Sequence, residues 1–399
     1  MYYYPMKNKT VVLEISHKYI KIVIGKMKDD EVNVVYCKKV PIHHLLENGT
    51  VRDKVTLINE LTKLNPLLDD EYHINQMLDD VVLILPPYGL EVYRTNQITT
   101  VISPEKIIGK LDIKNIYSII RNKKLPNENE LVNIILDDFS IDSGERFGYA
   151  PINQHSGAIR ANAKVVTLPK RIDDEYTTIL KKAGIKVCQK VVSSYGAVEI
   201  LRKNDTLPNS FFLIDIGANS TCISLVGNKE LVATRSFSWG GDTITEKIIE
   251  KYNINEKDAE NAKVLFGLDK RETDFRYPVI VSRSEDNTVT YYREDLNETI
   301  KNELESFTNF LKTSIEQLKT GYQVNETLPI YLIGGGSKLI GLVDYLKLNL
   351  FNDNVFTLTP KVMGARDPSL FSALGAILVY EKYLSDLDSE VAVNVMREE

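Results

Sequence analysis

Apolar and polar positions along this chain set out three strands and a helix near the start, and repeat that succession two hundred residues later. Residues 11–14 and 20–26 are rich in β-branched side chains and read as strands, joined by a turn at Ser16-His17-Lys18. Residues 32–39 supply a third strand. Within 53–65, Val55, Ile58, Leu61 and Leu64 recur at helical spacing. Residues 81–85 form a short apolar run ended by Pro86-Pro87, a strand with a hard stop. In the second half, 211–216, 222–226 and 230–237 read as strands, followed by a helix over 243–252. An amphipathic helix over 304–320 shows Leu304, Phe307, Leu311 and Ile315 on one face. A helix near 339–348, a short strand at 355–358 and a last helix over 368–383 complete this half. The repetition predicts two related subdomains facing each other across a cleft.

The middle has its own rhythm. Residues 91–99, 131–140 and 159–168 alternate like strands, with a polar helical stretch at 112–122. This predicts a small α+β insertion, followed by a helix over 171–183 that Gly184 ends. Residues 271–294 are polar and predict a surface hairpin.

At 399 residues the chain exceeds what one core usually organises, so two or more are expected. A net charge of −6 without a basic stripe argues against nucleic acid as the main partner. The longest apolar runs are strand-sized and too short to span a bilayer. The stretch from Met1 to Lys7 lacks an apolar signal-peptide core. Cys37, Cys188 and Cys222 are odd in number and far apart, which signals neither a disulfide framework nor a zinc site. The adjacent His43-His44 pair lacks metal-ligand spacing. A cytoplasmic protein is expected.

Chemistry concentrates at two glycine turns behind apolar runs. The first is Asp215-Ile216-Gly217-Ala218-Asn219-Ser220-Thr221, the second Ile333-Gly334-Gly335-Gly336-Ser337. Glycine lets a backbone pass very close to another group. An acid, then Gly, then hydroxyl and amide donors suits magnesium and phosphate. Asp215 is read as linked to Mg²⁺ through water, against a turn acid closing an Asx-type bond. Gly217, Ala218, Asn219, Ser220 and Thr221 are read as phosphate donors, against a plain β-turn. Gly334, Gly335, Gly336 and Ser337 are read as the approach to a ribose-phosphate, against a helix-entry loop. The pair predicts a nucleotide gripped in one cleft, with one glycine turn on each lobe. Cys222 and Trp239 are read as packing.

These segments resemble the motifs of the actin-like ATPase superfamily, and more narrowly those of the FtsA family of bacterial cell-division proteins. Asp215 to Thr221 is similar to the second phosphate motif, and Ile333 to Leu342 to the adenosine motif. Gly240-Gly241-Asp242-Thr243-Ile244-Thr245 is similar to the turn entering the adenine-side subdomain. Asp258-Ala259-Glu260-Asn261-Ala262-Lys263 resembles a Glu-x-x-Lys helix that flanks ribose and adenine, against an ordinary solvated pair. The narrower resemblance rests on Ile135 to Asp142 and Gly157 to Val165, which look like the FtsA insertion called domain 1C. It extends over roughly 11–383.

The resemblance implies an α/β, two-lobed, duplicated ribonuclease H-like fold with ATP and Mg²⁺ as ligands. It places a first lobe at 1–86, 171–205 and 355–385, the insertion at 87–170, a second lobe at 206–354 and an acidic tail at 386–399. It implies a first phosphate loop at Ser16, His17 and Lys18, with Lys18 the better phosphate contact. Lys21 is either a further contact or a solvent-facing strand residue. Glu14 polarises a magnesium-bound water, or is a strand-end acid paired with a lysine. The implied role is a scaffold of the division septum at the cytoplasmic face of the membrane, self-associating into filaments and binding the tubulin-like FtsZ.

Three departures modify that expectation. Ser16 stands where the family usually has Gly, which bears on hydrolysis more than on binding, so slow hydrolysis at most is expected. The acidic end of the chain is not a basic amphipathic helix that could enter anionic lipid, so membrane contact is expected to be indirect or through a missing tether. Ser193-Ser194-Tyr195-Gly196-Ala197 only loosely fits the connection that positions an attacking water. Two other readings stay open: a pilus-assembly scaffold of the PilM type, and a sugar-kinase-like phosphotransferase, for which no convincing substrate base is found.

Overall fold

A computed structural model describes residues 9–29, 31–42, 45–72, 74–125, 128–268, 278–283 and 288–386. The expectations for Met1 to Lys7, for His43-His44, for 271–277 and 284–287, and for the tail from 387 lie outside the described residues. The chain divides into two compact units: Met1–Lys203 with Val362–Gly364 and Ser372–Glu399, and Asn204–Lys361 with Ala365–Phe371.

The first unit opens with the expected meander β1 (Thr10–Ile15), β2 (Tyr19–Lys28) and β3 (Glu31–Pro41). A small hairpin β4 (Leu46–Glu47) and β5 (Thr50–Val51) precedes helix α1 (Lys54–Lys63), whose N-terminus Asp53 caps by accepting from the amide of Thr56. The buried face of α1 is Leu57 and Leu61, whereas Val55 is exposed, so the expected stripe is rotated. A second hairpin, β6 (Leu67–Asp69) and β7 (Ile74–Gln76), leads to β8 (Val81–Leu85), buried along its whole length.

The insertion holds β9 (Glu91–Thr100), α2 (Lys110–Arg121), β10 (Asn129–Ile141), β11 (Arg146–Phe147) and β12 (Ala158–Pro169). Its antiparallel sheet, in the order β11-β10-β12-β9, has a core of its own. There Ile113, Ile116 and Ile120 of α2 meet Ile159, Ala161 and Ala163. Helix α3 (Lys170–Lys182), β13 (Val187–Val192) and α4 (Ser193–Arg202) follow. The segment from Ser193 to Ala197, expected as a connection, is the first turns of α4.

The second unit repeats the plan with β14 (Phe211–Ile216), β15 (Thr221–Gly227), β16 (Glu230–Phe237) and α5 (Gly241–Tyr252). Then come α6 (Glu256–Phe266), the hairpin β17 (Pro278–Arg283) and β18 (Thr288–Tyr292), and α7 (Arg293–Gly321). The unit's elements end with β19 (Ile330–Ile333), α8 (Leu342–Leu350) and β20 (Val355–Thr357). Leu304, Phe307 and Leu311 of α7 are fully buried on the core, as their spacing predicts, and Phe307 stacks on Trp239 at 3.9 Å between ring centroids. Helix α9 (Phe371–Asp386) returns the chain to the first unit. There Gly375 of α9 meets Gly196 of α4 so closely that an added Cβ would lie 1.7 Å from the Gly196 carbonyl oxygen.

The two main sheets have the same topology. One runs β3-β2-β1-β8-β13 and the other β16-β15-β14-β19-β20. In each, the central strand pairs antiparallel with its hairpin partner and parallel with a later strand. The duplication read from residues 11 and 211 is therefore a duplication of sheet order. Strand β20 belongs to the second sheet, so the boundary expected at 354 falls after it, before Val362.

Candidate functional site

Strands β14 and β19 are parallel neighbours, with Asp215 opposite Ile333. Parallel strands deliver their C-terminal ends to one edge of a sheet, the usual place for a ligand in such folds. The glycine turns that follow them are therefore adjacent and belong to the same unit, which corrects the expectation of one turn per lobe. Gly334 has φ +84°, and a Cβ there would stand 2.3 Å from Asp215 Oδ1 and 2.4 Å from the Ile216 carbonyl oxygen. Only glycine fits. A Cβ on Gly336 would strike Ile216 Cγ2 at 2.4 Å, whereas one on Gly335 would meet nothing within 4 Å. The protein's own packing thus explains Gly334 and Gly336 and leaves Gly335 facing open space.

The first turn is tight. Gly217 N donates to Ser220 O at 2.8 Å, and its carbonyls are drawn to the N-terminus of α5. Gly241 N donates to Gly217 O at 3.0 Å and Asp242 N to Ala218 O at 2.8 Å. Helix-end amides that would otherwise lack partners are thus spent on fixing the loop. The Gly240 backbone lies against it, where a Cβ would come within 2.3 Å of Ala218 O. Among the described residues the amides of Ala218 and Asn219 have no backbone acceptor, and both residues are half-buried.

Glu260 and Lys263 lie on α6 and are not an ordinary solvated pair. Lys263 is buried, and its Nζ donates to Gly241 O at 2.9 Å, Thr245 Oγ1 at 2.8 Å and Glu260 Oε2 at 2.8 Å. The Thr245 hydroxyl in turn donates to Glu260 Oε2 at 2.8 Å. Thr245 was missed as a site residue; its place one helical turn after Gly241 was the available signal. Beyond α6, Leu268 N donates to Ile340 O at 2.8 Å, and Gly267 and Gly341, both at positive φ, allow that contact. The end of α6 is thereby tied to the glycine turn after β19.

Two hydroxyls expected to face a ligand turn inward. Thr221 is fully buried and donates to Trp239 O at 2.8 Å, and buried Ser337 donates to Gly334 O at 2.8 Å. They hold turns. Asp215 is half-buried, and its carboxylate lies over Gly334. Cys222 is packed beside it, and burial pushes its thiol up to about 12. A thiol raised that far stays protonated through neutral and mildly alkaline pH. Ellman's reagent at pH 8 is therefore expected to leave Cys222 unmodified in the native protein and to react with it once guanidinium unfolds the chain.

The first-loop residues lie in the first unit. Lys21 is buried and pairs with Glu14 Oε1 at 2.8 Å, so it does not face solvent, and the strand-end pairing is what is seen. Glu14 Oε2 is buried with no hydrogen-bond partner among the described residues. Ser16 closes its own turn: its amide and its hydroxyl both donate to Tyr19 O at 2.9 Å, and Tyr19 N donates back to Ser16 Oγ at 3.2 Å. His17 Nδ1 is 2.8 Å from Leu46 O, and Ile42 N donates to Lys18 O at 2.8 Å.

A duplicated sheet order is what the sequence resemblance implied. The family model described as "Cell division protein FtsA" matches residues 212–375. FtsA of Enterococcus hirae is 24% identical over 387 residues, covering 94% of this chain and 84% of that protein. FtsA of Bacillus subtilis (strain 168) is 23% identical over 380 residues, covering 92% and 82%. The chain is similar to FtsA over most of its length. Among solved structures, the PilM-PilN type IV pilus biogenesis complex aligns with a TM-score of 0.60 at 19% identity, covering 94% of this chain and 98% of that one. MreB5 of Spiroplasma citri bound to AMPPNP aligns at 0.54 and 14% identity, covering 97% and 100%. The chain has the actin-like ATPase fold. No described helix is long and apolar enough to cross a membrane.

Proposed function

We propose that this FtsA relative binds Mg-ATP at the end of β14 and serves as an actin-like scaffold in bacterial cell division. The observation that carries the nucleotide reading is the open space at Gly335, faced by no protein atom within 4 Å, beside the turn that presents Ala218 and Asn219. Gly217, Ala218, Asn219 and Ser220 would hold phosphates, and Gly334 to Gly336 would receive the ribose-phosphate. Among the described residues no group of three or more His, Cys, Asp or Glu side chains could hold a metal alone. Magnesium, which keeps several waters and rides on phosphates, therefore suits Asp215 acting through water. When bound, it would neutralise phosphate charge. Ser16 closing its own turn fits slow hydrolysis at most.

The division role draws on the FtsA relatives. Self-association, FtsZ as principal partner, and placement at the cytoplasmic face of the membrane belong to the same proposal. ATP must bind the assembling conformation more tightly than the other for the nucleotide to act as a switch.

Titration with a fluorescent ATP analogue tests the site. Asp215→Ala is expected to weaken binding about tenfold with Mg²⁺, about 1.4 kcal/mol, and to change little when EDTA replaces the metal. Equal affinity of variant and parent in Mg²⁺ refutes the phosphate site.

A pilus-assembly scaffold is the second reading, favoured by the higher TM-score of the PilM-PilN complex, 0.60 against 0.54 for MreB5. Immobilised chain that retains FtsZ and not a short peptide from a pilus membrane protein supports the division scaffold; the reverse supports the other.

A further inference from the structure

The second unit exposes large apolar side chains at the end of α8 and on β20 that its own fold leaves unexplained. Phe351 closes α8 in a left-handed conformation, φ +51°, and is 88% exposed, while Leu348 one turn earlier is 70% exposed. Exposed large side chains standing alone are ordinary; neighbours flanked by charge mark a contact surface. Phe356 on β20 is also exposed and rests on Tyr331 with 5.8 Å between ring centroids.

Two ammonium groups frame these rings. Lys312 of α7 stands 5.7 Å from the Phe351 ring centroid, and Lys347 of α8 stands 5.4 Å from that of Phe356. Among the described residues neither lysine has a carboxylate within ion-pair distance, although Asp344 lies one turn before Lys347 on α8 and Asp353 follows Phe351. Glu316, one turn along α7 from Lys312, is engaged by Lys319. Strand β20 is moreover the edge of its sheet, paired with β19 alone.

We propose that the end of α8 and the β20 edge form a docking surface for an acidic peptide segment with one large apolar anchor. The anchor packs between Leu348 and Phe351, carboxylates meet Lys312 and Lys347, and an extended backbone can lie along β20. Strand addition gives such a peptide main-chain bonds, and side-chain pockets select its sequence.

Fluorescence anisotropy on the full chain tests this. The probe is a short fluorescein-labelled peptide alternating glutamate and leucine around a single phenylalanine. Phe351→Asn is the first variant, because asparagine tolerates the left-handed conformation and the fold is kept. It and the double variant Lys312→Glu with Lys347→Glu are each expected to weaken binding at least about tenfold. A peptide with lysine in place of glutamate is expected not to bind, and added salt is expected to weaken the acidic one. Absence of binding by the parent chain, or equal binding by the variants or by the lysine peptide, overturns the proposal. So does a sedimentation result in which Phe351→Asn abolishes self-association while peptide binding persists, which assigns the surface to a second copy.

Discussion

Replacing Gly240 by alanine is expected to weaken nucleotide binding by about a hundredfold while the second unit stays folded, since displacing a positioning group by an ångström costs roughly that much. The new methyl carbon would lie 2.3 Å from Ala218 O, 2.5 Å from Ala218 C and 2.8 Å from Asn219 N. All three are backbone atoms of the phosphate turn, so none can swing aside as a side chain would. The backbone at Gly240 is extended, φ −160°, which alanine adopts without strain. The whole effect therefore comes from contact. Overpacking of this kind costs about 1–3 kcal/mol, against the 5–15 kcal/mol that holds a typical protein folded. The turn moves; the sheet survives.

Gly335→Ala is the control that separates ligand from fold. Its methyl carbon meets nothing in the protein, so the melting temperature is expected to stay within a degree or so of the parent. A loss of nucleotide affinity without a loss of stability then reports an occupant in that space. Titration and thermal melting of both variants make the measurement. Unchanged affinity in Gly240→Ala despite a lowered melting point would show that this turn does not carry the phosphates.

Strands and turns were legible because their signals are local. The runs at 211–216 and 330–333 are strand-sized and β-rich, and their glycines mark where backbones meet. The repeated succession of elements announced the common sheet order. What the sequence hid was pairing. Nothing in residues 211–221 and 330–337 states that their strands are neighbours, so the adjacency of the two turns came only with the sheet. Side-chain direction was hidden for the same reason. Thr221 and Ser337 have suitable donors, but each faces a carbonyl of its own scaffold. The helix at Ser193 was obscured because Ser193, Ser194 and Gly196 are weak helix formers, and their contact with α9 is non-local.

Lys263→Met is expected to loosen the site from behind. A buried ammonium that donates to a backbone carbonyl, a hydroxyl and a carboxylate fixes three groups at once, and hydrogen bonds to a charge are worth about 1.5–3 kcal/mol each before reorganisation. Methionine fills much of the volume and supplies none of the donors, so the loss is of bonds rather than of packing. Gly241 O and Glu260 Oε2 then lose the ammonium and keep the weaker Thr245 hydroxyl, beside the helix terminus that holds Gly217 and Ala218. The unit is expected to lose about 2–3 kcal/mol, and the amides of Gly241 and Asp242 to exchange hydrogen faster than those of α7. Nucleotide affinity is expected to fall roughly thirtyfold, because the helix end that aims the phosphate turn is no longer fixed. Lys263→Arg should restore part of the stability, since a guanidinium can keep the carboxylate and one further acceptor. A direct adenosine contact gives a different pattern: affinity falls while the exchange of Gly241 and Asp242 in the nucleotide-free protein stays at the parental rate. Accelerated exchange in the absence of nucleotide assigns Lys263 to positioning, for no ligand is then present to have lost.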